Sequence, residues 1–315
     1  VPTRPAREPQ PLSDPTESPV PIETPAPVDQ PSNRLALAMA GITVLFWASA
    51  FVVIRPLAGV LSPGGLALGR LAVAAVALTV FALIRRFRIP RGRTLLLLIV
   101  YGVLWFGGYM VALNAGEQHL DAGTAALLVN VAPVLITLGA GAFLREGFPR
   151  WVIIGSVVSF GGVVVISAGA GDHRIDALGI VFCLTAAILY AAATLLLRVG
   201  LRTTQPLQAT WIGCLAGMIA CLPFAPSLVG ELSRASAGVW LGVGYLGLFP
   251  TAVAFTTWAY ALSVMGAART GATTYLVPAI TIVISWIFLS ELPTVYGFIG
   301  GAVCLAGVAV TRIRR

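Results

Sequence analysis

Of the chain's 315 residues 58% are hydrophobic and 10% charged, with a mean hydropathy of +0.92, whereas about a quarter of a soluble domain is charged. No water-soluble fold of this length could hide so much apolar surface, and runs such as 122–128 lack the alternation that a β-barrel strand needs. The net charge of +8 rests on 20 arginines and no lysine, gathered at the ends of apolar runs, which favours a topological role over nucleic-acid binding.

In chain order, residues 1–33 come first, with ten prolines by position 31 among Ser, Thr, Glu and Asp. Such a segment buries too little to fold, and it lacks the apolar core of a signal peptide, so a disordered Pro-rich cytoplasmic tail is expected. Ten apolar spans follow, at roughly 35–57, 64–84, 94–116, 121–143, 151–169, 177–198, 206–225, 238–262, 269–289 and 294–311. Each approaches the roughly 20 helical residues that cross a bilayer core of about 30 Å, and backbone in lipid must bond internally, so the spans are expected to be helices. Turn chemistry marks the breaks at Ser62-Pro63-Gly64, Pro90-Arg91-Gly92, Gly171-Asp172 and Gly200. With the tail inside, fourteen arginines fall in inner connections and three (Arg55, Arg174, Arg234) in outer ones, a bias that places both termini in the cytoplasm. Cys183, Cys214, Cys221 and Cys304 lie in spans without metal-like spacing and read as small packing residues.

The chain also repeats itself. At an offset of 145 residues, ten positions between 133 and 165 recur, among them Pro133/Pro278, Glu146/Glu291, Gly155/Gly300 and Gly162/Gly307. An offset of 143 relates Trp47 to Tyr190, Arg55 to Arg198 and Pro63 to Pro206. The halves are 34–170 and 171–315, with five spans each. Five is odd, so the second half enters the membrane upside down, the arrangement that lets two halves exchange conformations in alternating access.

Ten spans in two inverted five-helix repeats, each with a Pro followed 13 residues later by Glu at the end of its fourth span, resemble the drug/metabolite transporter superfamily, and within it the EamA family. The matching pieces are Trp47-Ala48-Ser49-Ala50-Phe51, Arg70, Pro133 to Glu146, Pro278 to Glu291, and the glycines at 155, 161, 162, 300 and 307, over about 35–312. Tyr190 departs mildly, standing where the second half often has Trp. The resemblance implies a ten-helix carrier with a central cavity between its halves, moving amino acids, metabolites or drug-like cations, often outward.

Polar and aromatic groups deep in spans are the candidates for handling a solute, because membrane interiors tolerate them best where they face a cavity. Trp47/Tyr190 and Asn130/Tyr275 are paired by the internal symmetry, the latter two each three residues before the repeated proline, where a broken ladder exposes carbonyls. The alternative is that Asn130 bonds across a helix contact and Tyr275 packs. Tyr101, Trp105 and Tyr109 share one face at i, i+4, i+8, with Tyr109 favoured as cavity-lining and Asn114 a turn on; Trp258 adds an aromatic from the eighth span. An aromatic cavity suits an apolar, aromatic or cationic solute. Arg70 has three readings: snorkelling to headgroups, pairing with Glu117 or Asp121, or meeting an anionic substrate group. Glu146 and Glu291 read as latches whose expected partners are the N-terminal amides of the next span, near Pro149 and Pro293, or as gates. No Asp, Glu or His falls in the middle third of a span, so proton antiport, uniport and exchange stay open.

Catalysis finds no support. Neither histidine (His119, His173) lies in a span, and Gly-x-Ser-x-Gly, His-Glu-x-x-His and a Lys-containing phosphate loop are all missing from the sequence. The expectation is a non-enzymatic carrier without cofactor or metal in the cell (plasma or inner) membrane, its partners a small-molecule substrate and the lipid bilayer and not nucleic acid. A channel or receptor is the alternative class. The glycines of spans five and ten permit close helix approach, within the chain or in a homodimer.

Overall fold

A computed structural model of the chain describes residues 33–143, 150–168, 176–292 and 294–310. The tail and the predicted latch Glu146 lie outside the described residues, as do Pro149, His173 and Pro293. Everything regular among the described residues is helical. We label the helices α1 (Asn33–Leu57), α2 (Pro63–Ile84), α3 (Arg93–His119), α4 (Ala122–Val129), α5 (Ala132–Phe143), α6 (Arg150–Ala168), α7 (Ala177–Gly200), α8 (Pro206–Leu232), α9 (Ala237–Ala267), α10 (Leu276–Leu289) and α11 (Val295–Val310). Six of them (α1, α2, α3, α7, α8, α9) are long and apolar enough to cross a membrane.

Local sequence explains where the helices start. Ser62 accepts from the Gly65 N–H at 3.2 Å, and Pro63 supplies a first-turn residue whose missing N–H costs nothing. Asp121 accepts from Thr124 N at 2.8 Å, and Asp176 from Leu178 N at 2.9 Å. Gln205 and Gln208 form a capping box around Pro206. α3 and α9 are not plain α-helices. Each holds a seven-residue π-turn, Val103–Tyr109 in α3 and Gly247–Val253 in α9. α4 and α5 are parted by a break at Asn130 and Val131. Near the end of α9 the helical run kinks at Gly266, whose φ of 76° suits a residue without Cβ, and it continues to Thr273 before α10. The sequence places Asn130 and Tyr275 before the prolines; the helix interruptions fall at these same residues.

The core lies between the halves. α1 packs on α9 and α10, α2 on α8 and the π-turn of α9, α3 on α7 and α8, α5 on α7, α4 on α10, and α6 runs along α11. The 33–168 and 177–310 segments therefore interleave rather than folding as separate bodies. Leu241 and Phe288 are each 74% exposed, with Val76, Val164 and Leu83 close behind, a belt that water would not tolerate and lipid does. The closest crossing joins α3 to α8: a Cβ built on Gly102 would lie 2.3 Å from the Gly213 carbonyl oxygen, and one on Gly213 2.5 Å from the Tyr101 ring. Gly213 and Gly217 are four residues apart, the small-xxx-small spacing that lets backbones touch.

Candidate functional site

Beside that crossing, where Tyr101 and Phe106 lie against Gly213, rings from both halves come together. Trp47 on α1 and Trp105 on α3 face Tyr190 on α7 and Phe255 and Trp258 on α9. Ring centroids lie 5.0 Å apart for Trp47–Trp258, 5.3 Å for Trp47–Phe255, 4.9 Å for Trp105–Tyr190 and 5.1 Å for Trp105–Phe255. Tyr109 joins through Tyr190 at 6.0 Å, and Tyr101 through Trp105 at 5.7 Å. Tilted and edge-on geometries dominate, as the ring quadrupole prefers. The indole N–H groups of Trp47 and Trp258 are buried without an acceptor, and Tyr190 sits beside Thr274. The cluster thus offers faces for an apolar, aromatic or cationic group and donors for an acceptor.

Of the sequence candidates, Trp47, Tyr109, Tyr190 and Trp258 meet here. Asn130 is placed at the edge of the rings rather than among them, and Tyr275 lies near Tyr190. Asn130 Nδ2 donates to the Thr274 carbonyl at 2.7 Å, tying the break after α4 to the break before α10. Asn114 lies elsewhere again, donating from Nδ2 to the Pro63 carbonyl at 3.0 Å. Sequence reasoning missed Phe255, which touches Trp47, Trp105 and Phe106. Its spacing of three residues from Trp258 on one helix face was the available signal. Pro278 lines an apolar pocket of about 270 Å³ with Leu127, Ile282, Phe298 and Leu305, apart from the rings. Pro133 lies in the first turn of α5, just past the break.

Two expectations are corrected. Arg70 does not snorkel: it is 3% exposed, and its Nε donates to Thr251 Oγ1 at 3.0 Å. The π-turn of α9 makes that contact possible, because Thr251 turns its hydroxyl back to the Leu246 carbonyl at 2.7 Å while accepting from Arg70. Glu291 is not held by the amides of the next helix through its side chain. Its Oε1 pairs with Arg55 Nε at 3.2 Å, and Arg55 Nη1 also donates to the Glu117 carbonyl at 2.8 Å. The ends of α1, α3 and α10 are thereby clamped together. Glu117, expected in a connection, belongs to α3, which runs three residues past the predicted end at 116, and it is fully buried.

Beside this clamp, His119 Nδ1 lies 2.7 Å from Asp176 Oδ2. The Leu178 N–H, and then His119, hold the Asp176 carboxyl below the usual carboxylate range. A polar seam continues between the halves, with Thr43 and Thr257 hydroxyls 2.8 Å apart and Ser49 and Tyr245 sharing a 2.7 Å bond. The described residues contain no His/Cys/Asp/Glu grouping suited to a metal.

Comparison with known proteins places this architecture. The profile of the EamA-like transporter family matches twice, at 34–168 and 177–313. A probable terminal-alkyne amino-acid exporter of Streptantibioticus cattleyicolor is 36% identical over 280 residues, covering 87% of this chain and 92% of that one. The uncharacterized transporter YdfC of Bacillus subtilis is 34% identical, covering 85% of this chain and 88% of its own. A solved crystal structure superposes with a TM-score of 0.63 at 18% identity, over 89% of this chain and 98% of that one, and so shares the fold. With its paired repeats, apolar helices and these relatives, the chain belongs to the EamA-like transporter family and is a membrane-embedded, multi-pass transporter of small solutes.

Proposed function

We propose that the protein is a secondary carrier of ten spans, α4 with α5 and the 267–273 run with α10 each forming one broken span, built as two inverted five-helix halves. It exports amino-acid-like or aromatic solutes from the cytoplasm through the cell membrane by alternating access, without enzymatic chemistry. The observation that carries the reading is the ring cluster between the halves, to which Trp47 and Trp105 come from one repeat and Tyr190, Phe255 and Trp258 from the other. A solute held there touches both halves, so it is sensitive to their relative motion, as alternating access requires.

Inversion is supported by which ends meet. The end of α3 and the start of α7 come together at His119 and Asp176, and Arg55 near the end of α1 reaches Glu117. α1 and α7 are the first helices of the two repeats, so the last turn of one lies near the first turn of the other. The S. cattleyicolor relative supports an amino-acid substrate by its name, and the aromatic lining favours an apolar or aromatic side chain.

Proteoliposomes test the reading with labelled L-phenylalanine and a terminal-alkyne amino acid. Saturable flux and counterflow are expected, with Trp47→Ala and Trp258→Ala each losing tenfold or more. Flux that rises linearly with concentration and shows no counterflow would mark a channel and refute the carrier.

A further inference from the structure

The end of α3 holds acceptors that the carrier reading leaves unused. Asn114 and Glu117 stand three residues apart on one helix face, at 1% and 0% exposure. Asn114 Oδ1 and both Glu117 carboxyl oxygens are buried with no donor. The hydrogen bonds of the neighbouring donors go elsewhere: Arg55 Nε to Glu291 and Nη1 to the Glu117 backbone carbonyl, Arg70 Nε to Thr251, and Asn114 Nδ2 to Pro63, while the remaining guanidinium nitrogens make no hydrogen bond to the carboxyl. The charged and titratable groups facing the carboxyl are Arg55 on α1, Arg70 on α2, Tyr109 on α3, Asp121 at the start of α4, Cys183 on α7, and Glu291 after α10.

A buried carboxyl without a donor calls for a cation or a proton. The packing favours the smaller of the two. A Cβ added at Gly116 would lie 2.6 Å from Cys183 Sγ, and one at Gly179 would lie 2.7 Å from His119 Cβ, so the end of α3 is pressed hard against α7. A proton needs no displaced atoms: bound to one carboxyl oxygen, it neutralises the buried charge and turns that oxygen into a donor among acceptors.

We propose that Glu117 is the proton-binding site through which solute movement is coupled to a proton gradient. The proposal rests on the carrier reading and adds the counter-transported ion. When the Arg55–Glu291 pair parts, water reaches the carboxylate; an Oε–H bond forms as a bond from hydronium to that proton breaks, leaving water. With the Arg55–Glu291 pair joined, the protein carries the proton buried. Its release to water on the opposite side, with the electron pair returning to the carboxylate, completes the exchange for solute.

Infrared titration of the full chain in lipid vesicles reads the site without any solute. A pH-dependent protonated-carboxyl band is expected in the wild type and missing in Glu117→Gln, a nearly isosteric change whose folding is checked by size exclusion and thermal melting. A wild type with no such band at any pH at which it stays folded, or a Glu117→Gln variant that keeps it, overturns the proposal. If Glu117→Gln does not fold, Glu117→Asp replaces it and must shift the band; an unmoved band is equally fatal. In proteoliposomes carrying L-phenylalanine, a proton gradient is expected to speed wild-type flux about tenfold and to leave the flux of Glu117→Gln unchanged by the gradient. Counterflow without any response of the wild type to the gradient would sink proton coupling while leaving the carrier intact.

Discussion

Arg55 serves two partners at once, a carboxylate on the far repeat and a carbonyl on its own, and both contacts are lost if these ends of α1, α3 and α10 separate. Its side chain and that of Glu291 are each about a third exposed, so the ion pair adds under about 1 kcal/mol to stability. Its weight falls on the balance between closed and open states instead. Arg55→Ala and Glu291→Gln are expected to lower the melting temperature by little and to raise the reactivity of a cysteine label at this end several-fold, and the exchanged pair Arg55→Glu with Glu291→Arg should reverse this in part, since it remakes the ion pair but not the donation to the Glu117 carbonyl. An exchanged pair as open as the single variants would remove the gate. Such a contact was illegible in the sequence, where its partners stand 236 residues apart and the carboxylate looked ready for nearby amides. The aromatic residues were more legible, because a Trp or Tyr deep in an apolar run is unusual enough to notice. Phe255 was not, since phenylalanine is an ordinary lipid-facing residue. Glu117 was read as a connection because hydropathy falls one residue before it.

Helix irregularities position these side chains, and they were the least readable level. The breaks at Asn130 and Tyr275 were foreshadowed by Pro133 and Pro278 three residues on. The π-turns in α3 and α9 had no comparable marker: one extra residue in a helix that is apolar all round changes no periodicity, and Pro250 alone hinted at the second. Their effect is plain in space, since one carries Trp105 and Tyr109 and the other carries Thr251. The α3–α8 crossing holds the first π-turn in place, and it depends on glycine. Gly213→Ala puts a methyl 2.5 Å from Tyr101, overpacking of about 1–3 kcal/mol, and Gly213→Leu should prevent stable folding. Thermal melting in detergent checks the order, wild type above Ala above Leu. An Ala variant as stable as the wild type would mean that the two helices do not approach this closely. Gly230, with no atom within 4 Å of an added Cβ, is the control and should accept Ala without loss.

At the scale of the whole molecule, the repeat was legible because Pro, Glu and Gly recur at one offset where chance would supply only Val and Leu. The five spans proposed for each repeat would turn similarity into inversion, and inversion would assign equivalent residues to opposite faces of the membrane. Val60, after α1, and Thr203, after α7, are such a pair, 143 residues apart and both exposed at helix ends. Val60 belongs to the end that carries Arg55 and Glu291, while Thr203 shares a 3.2 Å hydrogen bond with Thr94 at the start of α3. A cysteine at either position is a modest change at an exposed site, and the native Cys183, Cys214 and Cys221 are buried away from a polar reagent. In intact cells a membrane-impermeant maleimide is expected to label Val60→Cys. Thr203→Cys should react only after the membrane is permeabilised. Labelling of both from the same side would mean that the repeats run parallel, and two parallel halves have no symmetry by which one conformation converts into its mirror across the membrane.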